Sequence, residues 1–560
     1  MDELRIARST DAGGADERYA AANDPLDDRA AARWAWTFTL VGIVIRLVRY
    51  GLRMPLWNDE AFLALNVIRR DYTGLTEGLD TTQVAPIGYL WTSRAAIEWL
   101  GTSEFTLRLP ALAAGVLALL AFRRLAARAL RGTAQVAAVA CFAVAYYPYR
   151  HAVEVKPYSC DLAAAVLLLA AGMACRRRLS PSRLLGLGAM FALCLPFSYP
   201  AVFVAGGVGL ALAIEVVPRR RFAELAALVA AGLALVATFG GLYLAAMSGQ
   251  WNRTGGNMQW HWNEGFPPSP TEPLKLLVWL VKAHTGETLA YPAGGDAPWG
   301  LPQAIAAAIG VVALVRSKQT FLVRAVAGML ALALLAAVLK RYPYGFGERV
   351  NQHWVPGVCL LLGAGGAEVL ARMRSQRRRN HVARLAVGLL LGFAVALPTI
   401  DFAKPYKYRF DRDHQEFARW FWRFAGEGRP LVCVGHDLDR KLFDPFSEIQ
   451  YHVQRSIYRR APYDGGGAAF ASIPRGSPIT CVIGTYEHYR PSAQALSDWL
   501  GAMDRVYLPP QTATYVVRND RDQSIVYHVW KFEPRTPEAH LSQVVLPPAE
   551  EWAGTKPDAE

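Results

Sequence analysis

Residues 106–132 read TLRLPALAAGVLALLAFRRLAARALRG, an apolar block (106–122) followed by a loop with four arginines. A helix needs about 20 apolar residues to cross a bilayer, and shorter cores are tolerated. The same alternation recurs along the 560 residues, of which 53% are hydrophobic and 19% charged, with a mean hydropathy of +0.15. The pattern predicts a polytopic α-helical membrane protein and excludes disorder, collagen, coiled coil and a disulfide-stapled mini-protein.

Apolar stretches of this kind predict about eleven transmembrane helices. The two spans after residue 184 are separated only by the turn signal Tyr199-Pro200. The predicted spans are 34–51, 106–122, 133–149, 157–175, 184–199, 200–217, 223–247, 299–315, 321–339, 350–371 and 382–398.

The charges of the connecting loops test this arrangement. With the N-terminus inside, the five inner loops carry 4, 4, 3, 3 and 6 Lys or Arg and no acid; these loops are 123–132, 176–183, 218–222, 316–324 and 372–384. The first outer loop, 52–105, instead carries four Arg and seven acids. This is the positive-inside pattern, so the net charge of +14 indicates topology and not nucleic-acid binding.

An odd number of spans places the C-terminal region on the outer side of the membrane. Residues 401–545 have alternating strand-like and helical patterns, which predict a soluble extracytoplasmic α/β domain. Residues 1–34 and 546–560 are polar and without periodicity, and we expect them to be disordered tails. The membrane domain is then 35–400, with its larger outer loops at 52–105 and 248–298.

The seven cysteines and the histidines indicate no metal centre. No CxxC pair is present, and His261 and His284 lack partners at ligand spacing. We therefore expect no resident cofactor; a divalent metal stays open, although no ligand set is evident. The Trp-rich loop 248–298 fits a sugar or lipid cleft, and equally an interfacial aromatic belt.

A carboxylate pair follows the first span, in Trp57-Asn58-Asp59-Glu60. One explanation is a helix start, with Asn58 as the N-cap and both acids favouring the helix dipole. The other is a catalytic carboxylate just above the membrane, which takes a proton from an acceptor hydroxyl or amine. The two explanations are compatible, because a helix end is a rigid mount.

Further ionisable residues crowd the predicted outer boundary. Arg150, Glu154 and Lys156 lie between two spans, and a later outer segment contains Lys340, Arg341 and Arg349. Charges at this depth favour a functional role. The alternatives are an i, i+4 ion pair between Arg150 and Glu154 and snorkelling anchors in the later segment.

Together these motifs resemble the GT-C membrane glycosyltransferases, in particular the branch of protein O-mannosyltransferases and lipid A aminoarabinose transferases (bacterial glycosyltransferase family 39-like). The resemblance spans roughly residues 35–400. It is carried by Asp59-Glu60, Pro86, Tyr89, Gly101, Glu104, Arg108-Leu109-Pro110, Glu154, Lys156-Pro157-Tyr158, Tyr342-Pro343 and Arg349. Two departures stand out: Val84 occupies the place of a common cation, and Lys156 that of a commoner Arg, which loses a bidentate fork.

The resemblance implies transfer of a sugar, with inversion, from a polyprenyl-phosphate donor to an extracytoplasmic lipid, glycan or protein, with membrane lipids as surroundings. Asp59 is then expected to be the general base and Glu60 its neighbour. Lys156, Arg341 and Arg349 are expected to bind the donor phosphate. The predicted substrate contacts are Glu154, Tyr158, Tyr342 and Tyr89.

The alternative function is a transporter or flippase of a lipid-linked glycan, in which intramembrane charges line a path. Against it, the charges lie at the outer boundary and no inverted repeat is visible.

Overall fold

The computed structural model describes residues 26–254, 257–295, 297–424, 429–433, 473–486, 493–518 and 524–544. These residues form two compact units. The first comprises 1–52, 70–99 and 105–403, and the second comprises 53–69, 100–104 and 404–560, each as far as it is described.

Helices dominate the described residues. In chain order they are α1 (Asp28–Gly51), α2 (Asn58–Arg69), α3 (Ile87–Leu100), α4 (Glu104–Ala129), α5 (Gly132–Val144), α6 (Tyr146–His151), α7 (Tyr158–Arg177), α8 (Pro181–Cys194), α9 (Ala201–Val216), α10 (Phe222–Leu242), α11 (Ser248–Thr254), α12 (Asn257–His261), α13 (Pro273–Thr285), α14 (Leu301–Arg316), α15 (Thr320–Val338), α16 (Val355–Ala371), α17 (Gln376–Ala403), α18 (Arg409–Phe424) and α19 (Ala493–Val506).

Eight helices among the described residues are long and apolar enough to cross a membrane. They are Asp28–Gly51, Glu104–Ala129, Tyr158–Arg177, Ala201–Arg219, Phe222–Trp251, Thr320–Val338, Gln352–Ala371 and Gln376–Ala403. Three shorter apolar helices, Gly132–Val144, Pro181–Phe197 and Leu301–Arg316, coincide with the three remaining predicted spans. The predicted fold class, a polytopic helical membrane protein with a C-terminal α/β part, is confirmed.

Two helix ends differ from the sequence prediction. The first helix begins at Asp28 and not at residue 34, because the Asp27 side chain accepts a hydrogen bond from the Ala30 N–H at 2.6 Å and caps it. Residues 28–34 of the expected tail are thus helical, whereas 1–25 lie outside the described residues. The predicted span 133–149 ends at Val144, because Pro148 lacks the N–H that would continue the helix.

Glycine permits the closest helix packing in the first unit. A Cβ atom added to Gly365 of α16 would overlap the carbonyl oxygen of Ala306 in α14, and one added to Gly310 would overlap that of Leu361. Membrane helices gain no hydrophobic driving force from each other, so close backbone contact of this kind stabilises their association.

The second unit contains a four-stranded sheet of β1 (Leu431–Cys433), β2 (Ile479–Tyr486), β3 (Gln511–Arg518) and β4 (Ser524–Phe532). The strand order is β1-β2-β4-β3, with β1 parallel to β2 and the other pairs antiparallel. The sequence pattern predicts strand-like runs at 430–434, 479–483, 504–518 and 523–532. The four strands lie close to these runs, except that 504–506 belong to α19 and not to a strand.

A helix covers each face of this sheet, as the period-2 alternation of side chains requires. On one face, Cys481 and Trp530 pack with Trp499 of α19. On the other, Val482 and Val529 pack with Phe417 of α18.

The bounds of this unit differ from the predicted 401–545. The last span, α17, continues to Ala403, and the unit also includes 53–69 and 100–104 from the first outer loop. The predicted tail 546–560 lies outside the described residues.

Candidate active site

Glu154 is the centre of a buried ionic cluster in the first unit. It follows α6 and is only 3% exposed. Its Oε1 accepts a hydrogen bond from Arg150 Nε at 3.2 Å, and its Oε2 lies 3.0 Å from His151 Nδ1. Burial alone would lower the pKa of Arg150, but Glu154, Tyr146 and Glu348 together outweigh burial and raise that pKa above its ordinary value. The i, i+4 pair expected from the sequence is thus formed, as part of a larger group.

The segment after α15 contributes the second carboxylate of this group. Oε1 of Glu348 lies 3.9 Å from His151 Nε2 and 3.6 Å from Arg349 Nε. The Glu348 backbone N–H donates to Oε2 of Glu287 at 3.3 Å. Burial would raise the pKa of Glu348, but His151, Arg349 and hydrogen bonding together outweigh that effect and hold the pKa below its ordinary value. Glu348 is therefore ionised at neutral pH.

We call these five residues, Arg150, His151, Glu154, Glu348 and Arg349, the Glu154–Glu348 cluster. His151 is 1% exposed and lies between the two carboxylates. Acids and bases alternate through the cluster, so each charge has an opposite neighbour. Buried ions that are paired in this way keep their charge and their orientation.

Lys156 lies in the turn that leads into α7. The residue is 6% exposed, and its Nζ donates to Oε1 of Gln83 at 2.6 Å. The chain after Gln83 is fixed by Gln250, whose side chain accepts from the Ala85 N–H at 3.2 Å and donates to the Ala85 carbonyl at 3.1 Å. The Gln83 amide is thus one of the groups that hold Lys156 in place.

The predicted aromatic contacts have different surroundings. The Tyr158 ring lies 5.0 Å from the His151 ring, beside the Glu154–Glu348 cluster. Tyr342 donates from its hydroxyl to the Val350 carbonyl at 2.7 Å. Tyr89 on α3, a predicted substrate contact, has no exposed surface in this structure. The apolar face of its helix turns it inward, which the sequence pattern around Pro86 did not predict.

Arg341, grouped with Lys156 and Arg349 in the sequence prediction, has a different environment. The residue is exposed, and its guanidinium carbon lies 5.9 Å from the centre of the Trp251 ring. Arg349 is half-buried, with a side-chain exposure of 26%. Of these two cations, Arg349 is the one within the cluster.

The carboxylate pair Asp59 and Glu60 belongs to the second unit. The helix α2 begins at Asn58, so Trp57 and not Asn58 occupies the N-cap position. The Glu60 side chain, 1% exposed as a residue, accepts from the Trp57 N–H at 3.3 Å, which is half of a capping box. Asp59 is only partly buried. Glu60 therefore has a structural role, and Asp59 is the more accessible carboxylate.

Glu104 is a second buried acid of this unit, with no exposed surface. Its Oε2 accepts from Arg53 Nη2 at 2.9 Å, and its Oε1 accepts from Gln415 at 3.1 Å and from Arg419 at 3.3 Å. The first outer loop is thereby attached to α18 through a charged network.

The described residues contain no group of three or more His, Cys, Asp or Glu side chains arranged to hold a metal ion. Around Glu154 the acids are instead bonded to arginine and histidine.

Residues 84–243 match the family model of the dolichyl-phosphate-mannose-protein mannosyltransferases. The structure resembles that of ArnT from Cupriavidus metallidurans in the apo state, with a TM-score of 0.52, 13% identity, and coverage of 89% of this chain and 98% of that chain. The chain has the GT-C glycosyltransferase fold.

Weaker structural matches accompany this GT-C match. ArnT from the same organism bound to undecaprenyl phosphate gives a TM-score of 0.46 at 14% identity, covering 89% of this chain and 98% of that one. The apo oligosaccharyltransferase of Archaeoglobus fulgidus gives 0.38 at 15% identity, covering 78% and 62%. No curated protein sequence matches this GT-C chain.

The structure of this GT-C chain brings together Glu154, Tyr158 and Arg349 of the predicted site residues. It adds His151 and Glu348, to which the sequence interpretation gave no role. Both lie close in the chain to residues that the sequence interpretation named. An ionisable side chain near a predicted ligand, at the outer boundary of a span, is the sequence signal that could have identified them. Glu287 lies in a loop between α13 and α14 and gave no such signal.

Proposed function

We propose that this protein is an integral-membrane glycosyltransferase that moves a sugar from a polyprenyl-phosphate donor to an extracytoplasmic acceptor, with inversion. The observation that carries the proposal is the Glu154–Glu348 cluster, a set of paired, buried charges at one end of the apolar helices of a GT-C fold. A transporter needs charges along a path through the bilayer. A transferase needs them at one membrane surface, where a lipid-linked donor presents its phosphate.

The family model supports the donor class, since its description names a dolichyl-phosphate-linked sugar and its match includes Glu154 and Lys156. The positive-inside pattern supports an extracytoplasmic site, because the arginine-rich loops alternate with the loops that carry Asp59, Glu154 and Arg349. On this proposal the protein lies in a bacterial-type inner membrane with its N-terminus inside and its α/β unit outside.

The reaction is a single displacement. The acceptor oxygen or nitrogen forms a bond to the anomeric carbon while the bond from that carbon to the phosphate oxygen breaks. The phosphate leaves with the electron pair, and the acceptor proton passes to the Asp59 carboxylate. Attack opposite to the leaving group inverts the anomeric carbon, so one base is sufficient.

The cations act on the departing phosphate. Arg349 offers a planar fork that can bind two phosphate oxygens, and Lys156 offers a point charge. Contacts that strengthen as charge develops on the phosphate lower the barrier to transfer. Glu154 keeps Arg150 and His151 in position, and Tyr158 beside them is a suitable wall for a sugar ring.

The test is transfer by the purified full-length protein in lipid nanodiscs. A set of polyprenyl-phosphate sugars is incubated with an envelope lipid extract and with a peptide pool, and the products are identified by mass spectrometry. Asp59→Asn is expected to lower turnover by about 10²–10⁴-fold, because removal of a general base typically costs that much. Loss of a helix-start charge alone would cost at most about 1 kcal/mol of stability.

Asp71→Asn is the matched control. It also removes one negative charge from the first outer loop, and the Asp71 side chain only accepts from the Gly74 N–H at 2.7 Å, which an amide oxygen can replace. We expect it to retain normal turnover. Normal turnover of Asp59→Asn would remove Asp59 as the base, and absence of transfer from every polyprenyl-phosphate donor would refute the proposed function.

A further inference from the structure

A cavity of about 600 Å³ lies in the first unit, at the end of α7 that is opposite to Tyr158. It is lined by the ends of three helices and by their connections. Its lining residues are Arg128, Ala171, Ala174, Cys175, Arg177, Arg178, Arg183, Gly186, Leu187 and Met190. The residues of α7 from Tyr158 to Ala171 separate it from the Glu154–Glu348 cluster by about 20 Å, at 1.5 Å per residue. The cavity is therefore distinct from the candidate active site.

Four of the ten lining residues are arginines and none is acidic. Two of the arginines connect helix ends: Arg177 donates to the Arg128 carbonyl at 2.7 Å, and Arg183 donates to the Ala174 carbonyl at 3.1 Å. These contacts hold the guanidinium groups around the cavity but leave their charges uncompensated.

An arginine next to the cavity, in contrast, is paired with an acid. Arg176, next in the chain to Arg177, pairs with Glu215 at 2.9 Å and does not line the cavity. Within the described part of the chain, none of the four lining arginines forms an ion pair. Like charges that converge on one space repel each other, and an anion in that space relieves the repulsion.

The rest of the lining defines the kind of anion. Ala171, Ala174, Leu187 and Met190 form an apolar wall beside the arginines. Arginine binds phosphate oxygens through its planar fork, and an apolar wall accommodates the first carbons of an acyl chain. Basic pockets between membrane helices bind anionic headgroups in this manner. A free phosphate would use the arginines but gain nothing from the apolar wall.

We propose that this cavity between α4, α7 and α8 binds an anionic membrane phospholipid. The phosphate is held by four arginines, Arg128, Arg177, Arg178 and Arg183. By the charges of the loops this is the inner face of the membrane, where anionic headgroups attract basic residues. The site is independent of the proposed sugar transfer.

Native mass spectrometry of the purified full-length protein, with phosphatidylglycerol or phosphatidylethanolamine added, tests the site. The variant is Arg128→Gln with Arg178→Gln, because the contacts that connect the helix ends use the side chains of Arg177 and Arg183. Each basic residue near a membrane surface contributes about one kcal/mol to the attraction, so we expect phosphatidylglycerol to bind about 10- to 30-fold more weakly. Phosphatidylethanolamine, with no net charge, should bind weakly to both proteins.

Arg377→Gln with Arg378→Gln is the matched control. It removes the same two charges from another basic inner loop, at exposed residues that do not line the cavity. We expect it to bind phosphatidylglycerol like the unaltered protein. Equal losses in both double variants, or no loss in the cavity variant, would overturn the proposal. Equal binding of the two phospholipids would also overturn it, and so would binding of inorganic phosphate that phosphatidylglycerol does not displace.

Discussion

Arg349 is the residue whose replacement most directly tests the proposed donor site. Arg349→Ala removes the guanidinium that lies 3.6 Å from Glu348, and Arg349→Lys keeps a charge but loses the planar fork. Its ion-pair partner Glu348 is mostly buried, so the melting temperature of each variant is measured beside its activity. A large loss of activity in a folded variant therefore reports on the reaction.

The size of the effect follows from the contact that would be lost. A charged donor directed at the oxygen on which charge develops contributes about 10²–10³-fold to turnover, and we expect Arg349→Ala to lower kcat by this factor. Arg349→Lys loses one of two charge-assisted hydrogen bonds, about 1.5 kcal/mol, which is about tenfold. The loss should fall on kcat more than on KM, because the contact strengthens during transfer.

The assay measures initial rates of purified variants at several concentrations of a polyprenyl-phosphate sugar. Arg341→Ala is the control, because Arg341 is exposed beside Trp251 and is expected to anchor in the headgroup region with unchanged turnover. Unchanged kcat and KM in Arg349→Ala would show that the donor phosphate binds elsewhere. Equal losses in Arg341→Ala and Arg349→Ala would refute the distinction drawn between them.

Three further predictions concern topology and stability. A phosphatase reporter that is active only outside the cytoplasm should be active when fused after residue 410 and silent at residue 180; the reverse pattern would contradict the assigned sidedness of Asp59. Glu104→Gln should lower the free energy of unfolding of the second unit by about 1.5–3 kcal/mol, because it removes the charge that holds Arg53 and Arg419. The fluorescence transition should then occur at a lower denaturant concentration, and an unchanged transition would show that this network is not stabilising. Burial lowers the pKa of His414 from 6.5 to about 4, so the unfolded chain binds a proton between these pH values that the folded unit does not. The free energy of unfolding should therefore be unaffected by His414 above pH 6.5 and should fall by about 3 kcal/mol as the pH drops to 4. If thermal melts of His414→Asn show the same pH dependence as those of the unaltered protein, His414 is not the group responsible.

The membrane fold could be predicted from the sequence because its signals are local. A span such as 106–122 is recognised from its own composition, and the four arginines of 123–132 predict its orientation without knowledge of any other segment. The alternative of an ion pair between Arg150 and Glu154 could be recognised for the same reason, since only four positions separate them in the chain.

The remaining features depend on contacts between distant parts of the chain. His151 and Glu348 meet across nearly 200 residues, so the sequence near either residue does not indicate that the two lie together. The burial of Tyr89 follows from the packing of α3 and not from its motif. The place of Glu104 depends on Gln415 and Arg419, more than 300 residues later, so no local pattern could assign it to a unit with the C-terminal strands.

The three-segment origin of the second unit has a consequence for synthesis. The helix that carries Asp59 ends at residue 69, and apart from 100–104 the rest of the unit begins only at Lys404. The intervening stretch of about 330 residues takes roughly 17–66 s to translate at 5–20 residues per second. During that interval nine or more helices enter the bilayer, and the second unit that contains α2 is still incomplete. Assembly of the second unit therefore comes after insertion of the last span, and a ribosome that stops before residue 404 leaves the Asp59 helix without the domain that holds it.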